Sequence, residues 1–303
     1  MKVSTSVVML GLLASFASHA ATVTVKHQLG ETTVEQSPKR VVVIGIGALD
    51  AIDSFGIKPV AVSKVGFMPD FLQKYKSDQY GSAGSLFEPD FEAIYNEQPD
   101  LIIVGPRAAS SYDELSKIAP TVVFGNPETT DYWKNTQEQW RNLGKIFNIE
   151  PKVDAEIAKL DGNIKAIYQY NHSHKVNAMT VLSSGGNLST FGDKSRFSSI
   201  YEDFGFKETV PVKANNRHGD LISYEFIREN NPQTLFIIDR DKLVNKGVSH
   251  THEEFENDLV KATQAYKQNR MTYLDLNAWY LGISGVKATE QMIADMQKVT
   301  KVQ

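Results

Sequence analysis

Five side chains of this 303-residue chain could together hold an anionic metal complex. Three are arginines, Arg107, Arg196 and Arg240, and the other two are His218, in Asn-Asn-Arg-His-Gly-Asp, and Tyr280, in Ala-Trp-Tyr-Leu-Gly. Three guanidinium groups indicate an anion, because the planar guanidinium fork pairs well with oxyanions. An imidazole and a phenol can complete the coordination of a metal such as ferric iron. The set therefore predicts an anionic metal complex rather than a bare ion.

The five residues are far apart in sequence, but each lies within or just after a segment that reads as the end of a strand or the start of a loop. Open α/β folds bind ligands in the crevice outside the carboxyl ends of their strands. The five side chains can therefore meet in one cleft if the chain folds as an α/β protein.

The first half of the chain alternates apolar runs with helical segments. An alternating segment at 22–35 predicts an edge hairpin. Buried strands are then expected within 40–47, 59–62, 99–104 and 121–124, and helices at 48–55, 90–96 and 111–118. Alternation of strand and helix predicts a mainly parallel sheet.

Residues 136–172 change to a helical period and predict a linker helix, with a break near Glu150 because Pro151 cannot continue the hydrogen-bond ladder. The second half returns to alternation, with strands expected at 178–182, 234–238 and 271–275 and helices at 197–204, 223–230, 253–268 and 286–299. The sequence thus predicts an α/β fold of two Rossmann-like lobes, 22–135 and 173–303, with the ligand cleft between them.

The first twenty residues and the composition indicate where the protein is located. Residues 1–20 have one basic residue, an apolar stretch and small residues before Ala20, which predicts a signal peptide rather than an N-terminal membrane anchor. The chain has no cysteine, so neither a disulfide nor a lipidation site is expected. A formal charge of −4 without a dense Lys/Arg cluster argues against nucleic-acid binding. We expect an exported, soluble protein of a bacterial periplasm.

With these features the chain resembles the periplasmic ferric-siderophore-binding proteins of bacterial ABC uptake systems, in particular the enterobactin and bis-catecholate type with a helical backbone (class III). The resemblance covers nearly the whole mature chain. Local similarity lies at 84–94, at 99–103, at Phe191-Gly192-Asp193 with Arg196, and at His218-Gly219-Asp220. The Pro-Asp-Leu-Ile strand indicates only the fold, whereas the arginines with His218 and Tyr280 are a narrower signal.

The resemblance implies a non-enzymatic protein that captures a ferric catecholate siderophore. A tetradentate bis-catecholate supplies four anionic oxygens to Fe(III) and leaves two positions open, which His218 and Tyr280 would fill. Arg107, Arg196 and Arg240 would then donate hydrogen bonds to the catecholate oxygens. No intrinsic cofactor is expected, since the Fe(III) arrives within the siderophore complex.

The resemblance also implies a partner, the ABC permease of the inner membrane, to which a monomeric binding protein delivers its ligand. In such proteins one exposed glutamate per lobe docks onto arginines of the permease. Glu92 in Asp-Phe-Glu-Ala-Ile and Glu225 in Ser-Tyr-Glu-Phe-Ile occupy corresponding places in the two predicted lobes.

Two other functions stay open from the residues alone. Haem or cobalamin could bind on the same scaffold, with Tyr280 or His218 as axial ligand. An exported metal-dependent hydrolase is disfavoured, because no nucleophile elbow, HExxH helix or dense carboxylate cluster occurs. The run 250–254 has metal-ligand residue types but fits a helix start, and Gly45-Ile-Gly47 resembles a dinucleotide turn whose third glycine position is taken by Asp50.

Overall fold

The N-terminal hairpin is the first element of the structure, a computed structural model that describes residues 21–126, 131–212, 219–245, 247–300 and 302. Strands β1 (Thr22–His27) and β2 (Gly30–Glu35) pair antiparallel, as the alternating pattern predicts. Val25 and Val34 face the core, while most of the remaining side chains are exposed. The predicted signal peptide and His218 lie outside the described residues.

The first sheet is entirely parallel and is built from the buried apolar runs of the first half. Its strands are β3 (Val41–Ile44), β4 (Ala61–Val62), β5 (Gly81–Ser82), β6 (Leu101–Val104) and β7 (Thr121–Val123), in the order β5-β4-β3-β6-β7. Every residue of β3 and β6 is buried, as expected for parallel strands covered on both faces. The helices of this part are α1 (Ile46–Ser54), α2 (Phe91–Asn96) and α3 (Tyr112–Ser116), with 3₁₀ turns at Asp70–Lys76 and Pro106–Ser111.

Two helices connect the two sheets, α4 (Tyr132–Phe147) and α5 (Glu150–His174). The predicted break is present, because Asn148 directly after α4 has a φ of 54° and ends the helix. Pro151 lies in the first turn of α5, where its missing N–H costs no hydrogen bond. Helix α4 packs on α5 and on β1. The chain then continues from α5 into the second sheet. The residues that α5 buries follow a helical spacing, Val153, Ile157, Leu160, Ile164, Ile167 and Asn171.

The second sheet is mixed, which differs from a simple repeat of the first. Its strands are β8 (Asn177–Ser184), β9 (Asn187–Phe191), β10 (Lys207–Glu208), β11 (Asp220–Ile222), β12 (Thr234–Asp239) and β13 (Met271–Tyr273), in the order β11-β9-β8-β12-β13 with β10 on β8. Strands β10, β12 and β13 are parallel to β8. The hairpin of β8 and β9 is antiparallel, and β11 extends it on the edge.

The helices of the second half are mostly short. They are α6 (Ser199–Glu202), α7 (Tyr224–Asn230), α8 (Asp241–Val244), α9 (Thr251–Glu254), α10 (Asp258–Lys261), α11 (Gln264–Lys267) and α12 (Val286–Thr300). The single helix predicted at 253–268 is wrong, since Asn257 and Thr263 each cap the start of a new helix with a side-chain oxygen and divide the stretch into three. Within the described residues no helix has both the length and the apolarity to cross a membrane.

The sheets are the centres of two α/β lobes, which we call the N-terminal lobe (β3 to β7) and the C-terminal lobe (β8 to β13). Helix α12 belongs to neither lobe alone, because it packs on α1, on α5 and on β13. The chain therefore crosses between the lobes through α5 and returns through α12. The boundaries at 135 and 173 stay a prediction.

Gly162, in the middle of α5, generates a prediction about stability. It is exposed, and apart from its chain neighbours and the backbone of its own helix no atom lies within 4 Å of where its Cβ would stand. Gly162→Ala should therefore raise the free energy of unfolding by about 0.5–1 kcal/mol, because alanine loses less backbone entropy in a helix. Thermal unfolding measures the change. The exposed Ala158 of the same helix is the matched control: Ala158→Gly should lower stability by a similar amount, and a loss of stability in Gly162→Ala would contradict the account.

Candidate functional site

The turn that carries Tyr280 follows β13 and is a π-helical turn at Asn277–Leu281. The Asp275 carboxylate accepts the Ala278 N–H at 2.9 Å and so caps the start of the turn. Trp279 is buried and donates its indole Nε1–H to the Asp295 carboxylate of α12 at 2.9 Å. Its neighbour Tyr280 is half-buried on the other side. Anchoring Trp279 in the core thus turns the phenol of Tyr280 toward the space between the lobes.

All three predicted arginines reach Tyr280. The guanidinium carbon of Arg196 lies 4.1 Å from the centre of the Tyr280 ring, and that of Arg107 lies 6.0 Å from it, both within the range of cation–π attraction. Arg107 also donates from Nη2 to the Tyr280 carbonyl oxygen at 2.9 Å. Arg196 and Arg240 also act on the phenol through their positive charges. Arg107 comes from the N-terminal lobe and the other residues from the C-terminal lobe, so the cluster lies between the lobes.

Arg240 is placed as the sequence predicts, directly after the carboxyl end of the buried strand β12. Its Nη1 donates to the Ser184 hydroxyl at the end of β8, at 3.0 Å. Its Nε is buried and finds no hydrogen-bond partner among the described residues. A buried guanidinium donor without a partner is costly, and an oxyanion in the cleft would satisfy it. The sequence does not predict the contact of Arg240 with Ser184, because that contact depends on the pairing of β8 with β12.

Arg196 reaches the cluster for a reason that differs from the predicted one. It follows β9, which runs antiparallel to β8, so that Phe191 at the carboxyl end of β9 pairs with Thr180 near the start of β8. The carboxyl end of β9 therefore points away from the edge where β12 ends. The loop after Gly192 and the packing of Phe197 on Phe191, with ring centres 5.0 Å apart, bring Arg196 back to Tyr280.

The phenol of Tyr280 has positively charged neighbours. Burial of the phenol opposes ionisation, but the positive charges of Arg196 and Arg240 outweigh it and lower the pKa of Tyr280 below its usual value. At Tyr201, by contrast, burial prevails and raises the pKa of the phenol. The surroundings of Tyr280 therefore make ionisation of its phenol easier than burial alone would allow.

His218 lies outside the described residues, but its chain neighbour Gly219 is described. A Cβ at Gly219 would stand 2.7 Å from the Thr190 carbonyl oxygen and 2.8 Å from the Phe191 ring, so this backbone lies directly on the end of β9. The Phe191 ring in turn contacts Phe197, next to Arg196. The role of His218 as a metal ligand stays a prediction.

Glu92 and Glu225 occupy equivalent positions in two short helices. Asp90 caps α2 by accepting the Ala93 N–H at 3.0 Å, and Ser223 caps α7 by accepting the Phe226 N–H at 3.3 Å. Each glutamate is the second residue after its cap and is exposed. Their role in docking stays a prediction.

The weaker motifs do not assemble into sites. Among the described residues no group of three or more His, Cys, Asp or Glu side chains is placed to hold a metal ion. His250 pairs with Glu253 at 3.0 Å on the surface of α9. Three aromatic residues of the C-terminal lobe, Phe191, Tyr201 and Trp279, are buried in the core.

The structure thus has two α/β lobes connected by a long helix, with a cationic cluster between them. A family model described as periplasmic binding protein matches residues 43–278. The chain belongs to that family.

Individual relatives are similar over most of their length. The crystal structure of the periplasmic catecholate-siderophore-binding protein VctP from Vibrio cholerae is 66% identical, with a TM-score of 0.89, and the alignment covers 91% of this chain and 99% of that one. The petrobactin-binding protein YclQ of Bacillus subtilis is 37% identical over 91% of this chain and 87% of its own, and its crystal structure has a TM-score of 0.86. The ferric-anguibactin-binding protein FatB of Vibrio anguillarum is 30% identical over the same shares, 91% and 87%.

The lowered pKa of Tyr280 gives a prediction that needs no ligand. In an alkaline titration followed by ultraviolet difference absorbance, one tyrosine should ionise below the usual range, because Arg196 and Arg240 stabilise its phenolate. Tyr280→Phe should remove that component, and Arg196→Gln should move it to higher pH. The control Tyr201→Phe should leave it unchanged. An early component that persists in Tyr280→Phe would contradict the assignment.

Proposed function

We propose that this protein captures a ferric catecholate siderophore, with a tetradentate bis-catecholate as the preferred ligand, and delivers it to an ABC permease of the inner membrane. The observation that carries the proposal is the convergence of three arginines from both lobes on Tyr280: Arg196 and Arg240 on its phenol and Arg107 on its ring and backbone carbonyl. The name of VctP, at 66% identity, supports catecholates as the ligand class. The names of YclQ and FatB support a siderophore as ligand and binding rather than catalysis.

Coordination chemistry connects the cluster with the tetradentate ligand. Two catecholate rings supply four oxygens to Fe(III) and leave two positions, which a hard anionic phenolate and an imidazole can fill. Neighbouring positive charges already lower the pKa of Tyr280, so a bound ferric ion would ionise the phenol more readily. The neutral imidazole of His218 would supply the remaining ligand. The iron is the cargo of the protein and no resident metal is required.

Charge complementarity connects the same cluster with the catecholate oxygens. The ferric bis-catecholate complex retains negative charge, and taking it out of water is unfavourable unless donors replace its hydration. Arg107, Arg196 and Arg240 provide such donors from both sides of the cleft. The buried Nε of Arg240 would gain a partner, because it has none among the described residues.

Location and partner follow from the same proposal. Residues 1–20 would direct the chain to the periplasm, the compartment that the name of VctP gives for that protein. Glu92 and Glu225 would dock onto the permease, one from each lobe, and the protein would act as a monomer. Their matching positions in α2 and α7 support the pairing.

Ligand titrations test direct coordination. On binding to the protein, a ferric bis-catecholate should gain a new ligand-to-metal absorption band and a circular dichroism signal, because two protein ligands join the iron. A hexadentate tris-catecholate complex has no free position and should bind with little spectral change. Tyr280→Phe and His218→Ala should each weaken the tetradentate complex more than the hexadentate one. Equal losses for both complexes, or tight binding of haemin alone, would contradict the proposal.

Substitutions of the arginines test the charge argument. Replacing Arg107, Arg196 or Arg240 by Ala should weaken binding by about 1.5–3 kcal/mol, the scale of a charged hydrogen bond. Lysine should restore only part of the loss, because it lacks the planar fork. The exposed Arg141 of α4 provides the control, and Arg141→Ala should have no effect on affinity measured by fluorescence quenching. If all three cluster variants bind within about twofold of the original, the arginines are structural.

Uptake assays test the docking glutamates. The double variant Glu92→Ala, Glu225→Ala should bind the siderophore normally but impair iron uptake in cells, because charges on the rim govern recognition of a partner more than binding in the cleft. Two exposed glutamates on other helices, Glu138 and Glu254, serve as the control pair. Normal uptake by the docking variant, at matched protein levels, would remove these residues from the interface.

A further inference from the structure

Asp50 is a buried carboxylate that the proposed binding chemistry does not use. It lies in α1 of the N-terminal lobe and has no exposed surface. Its two oxygens accept the backbone N–H groups of Lys287 and Ala288, at 3.0 Å and 2.9 Å, in the first turn of α12. Ser54 donates a third hydrogen bond at 3.1 Å. Asp50 therefore caps a helix that lies more than two hundred residues further along the chain.

The backbone of α1 and the segment before α12 are in direct contact. A Cβ at Gly47 would collide with the Ile283 carbonyl oxygen, and a Cβ at Gly285 would collide with the Asp50 carboxylate. Only glycine at both positions permits this approach. The contact is thus specific in geometry and not simply the covering of an apolar face.

Helix α4 holds the same segment from a second side. The Ser284 N–H donates to the Tyr132 hydroxyl at 3.0 Å, and the Ser284 carbonyl accepts the Trp140 indole N–H at 2.7 Å. The hydroxyls of Ser284 and Thr136 are 3.0 Å apart. Ser284 has a φ of 68°, a left-handed conformation that is uncommon for serine and persists only where the surroundings impose it.

The anchored segment, residues 282–285, follows Tyr280 closely in the chain. The π-helical turn ends with the Gly282 N–H donating to the Asn277 carbonyl at 2.6 Å, and the Gly285 N–H donates to the Gly282 carbonyl at 2.8 Å. Helix α12 is also bonded to the turn from within, since its Asp295 accepts the Asp275 N–H and the Trp279 indole N–H. The turn that carries Tyr280 is therefore bonded at its start to Asp295 of α12 and continues at its end into the segment that precedes α12.

We propose that Asp50 is a positioning residue for Tyr280: by fixing the first turn of α12 against α1, it places the phenol at the distance from Arg107 that iron coordination requires. The path runs from Asp50 through α12 and Asp295 to the turn of Tyr280. Arg107 and Asp50 both belong to the N-terminal lobe, so the bond of Arg107 to the Tyr280 carbonyl and the cap of α12 set one geometry together. The inference depends on the proposed role of Tyr280 as an iron ligand.

A cap that served stability alone would behave differently. Loss of stability weakens every ligand to the same degree, whereas displacement of Tyr280 weakens only a complex that needs the phenolate on its iron. The ratio of affinities for tetradentate and hexadentate ferric catecholates therefore separates positioning from stability. The intensity of the phenolate-to-iron absorption band is a second readout of the same difference.

The test compares Asp50→Asn with the original protein. Asparagine keeps the size of the side chain, but its amide nitrogen cannot accept the second N–H. Affinity for the ferric bis-catecholate should fall about tenfold, as for other residues that orient metal ligands, and the absorption band should weaken. Affinity for the tris-catecholate should stay within about twofold. Ile52→Val, a buried substitution elsewhere on α1, should lower stability and leave the ratio unchanged.

Two further variants make every outcome informative. Tyr132→Phe removes the hydroxyl that holds Ser284 without touching a buried charge, so it replaces Asp50→Asn if that variant does not fold, and it should lower the affinity ratio in the same direction. Tyr280→Phe tests the proposed function itself. An affinity ratio that changes in Tyr280→Phe but not in the positioning variants overturns this inference alone. A ratio unchanged in Tyr280→Phe overturns both.

Discussion

The concentration of three guanidinium groups around one phenol is the constraint on which the binding site depends. Like charges repel at these distances, and the repulsion is strongest where water is partly excluded. A phenolate and a bound anion both relieve it, which explains why the pKa of Tyr280 falls although burial alone would raise it. The same positive potential that prepares the phenolate would attract an anionic ferric complex into the cleft.

Such a cluster is useful only if the lobes hold their relative position. Arg107 is carried by one lobe, and Arg196, Arg240 and Tyr280 by the other, so the geometry of the site is a property of the connection between lobes. Helix α5 connects the sheets through a continuous buried stripe, and α12 closes the structure against both α1 and α5. Two helical connections limit relative movement more than a pair of extended strands would. We therefore attribute the relative position of Arg107 and Tyr280 to these two helices.

Much of this architecture is readable from the sequence, because strands buried on both faces appear as uninterrupted apolar runs, as in β3, β6 and β12. Arg240 lies where the sequence predicts, at the carboxyl end of such a strand. Arg196 does not, because β9 is antiparallel to β8, and neither β9 nor β11 has a long apolar run that would indicate this pairing. The single helix predicted at 253–268 is wrong, since Asn257 and Thr263 cap new helices within it.

The role of Asp50 could not be predicted from sequence at all. In a local view it occupies the place of a glycine in a turn that resembles a dinucleotide-binding turn, and only the folded chain brings its carboxylate to Lys287 and Ala288. Contacts between residues that are distant in sequence leave no periodic signal. The sequence therefore indicates candidate ligand contacts by their chemistry, whereas contacts such as those of Asp50 appear only in the folded chain.

Direct iron coordination by Tyr280 is the central claim, and resonance Raman spectroscopy measures it most directly. The protein would be produced with ring-deuterated tyrosine, loaded with an unlabelled ferric bis-catecholate and excited in its charge-transfer band. The account predicts enhanced tyrosinate modes that shift with the label and disappear in Tyr280→Phe. A spectrum that contains only catecholate modes, insensitive to labelled tyrosine, would contradict it.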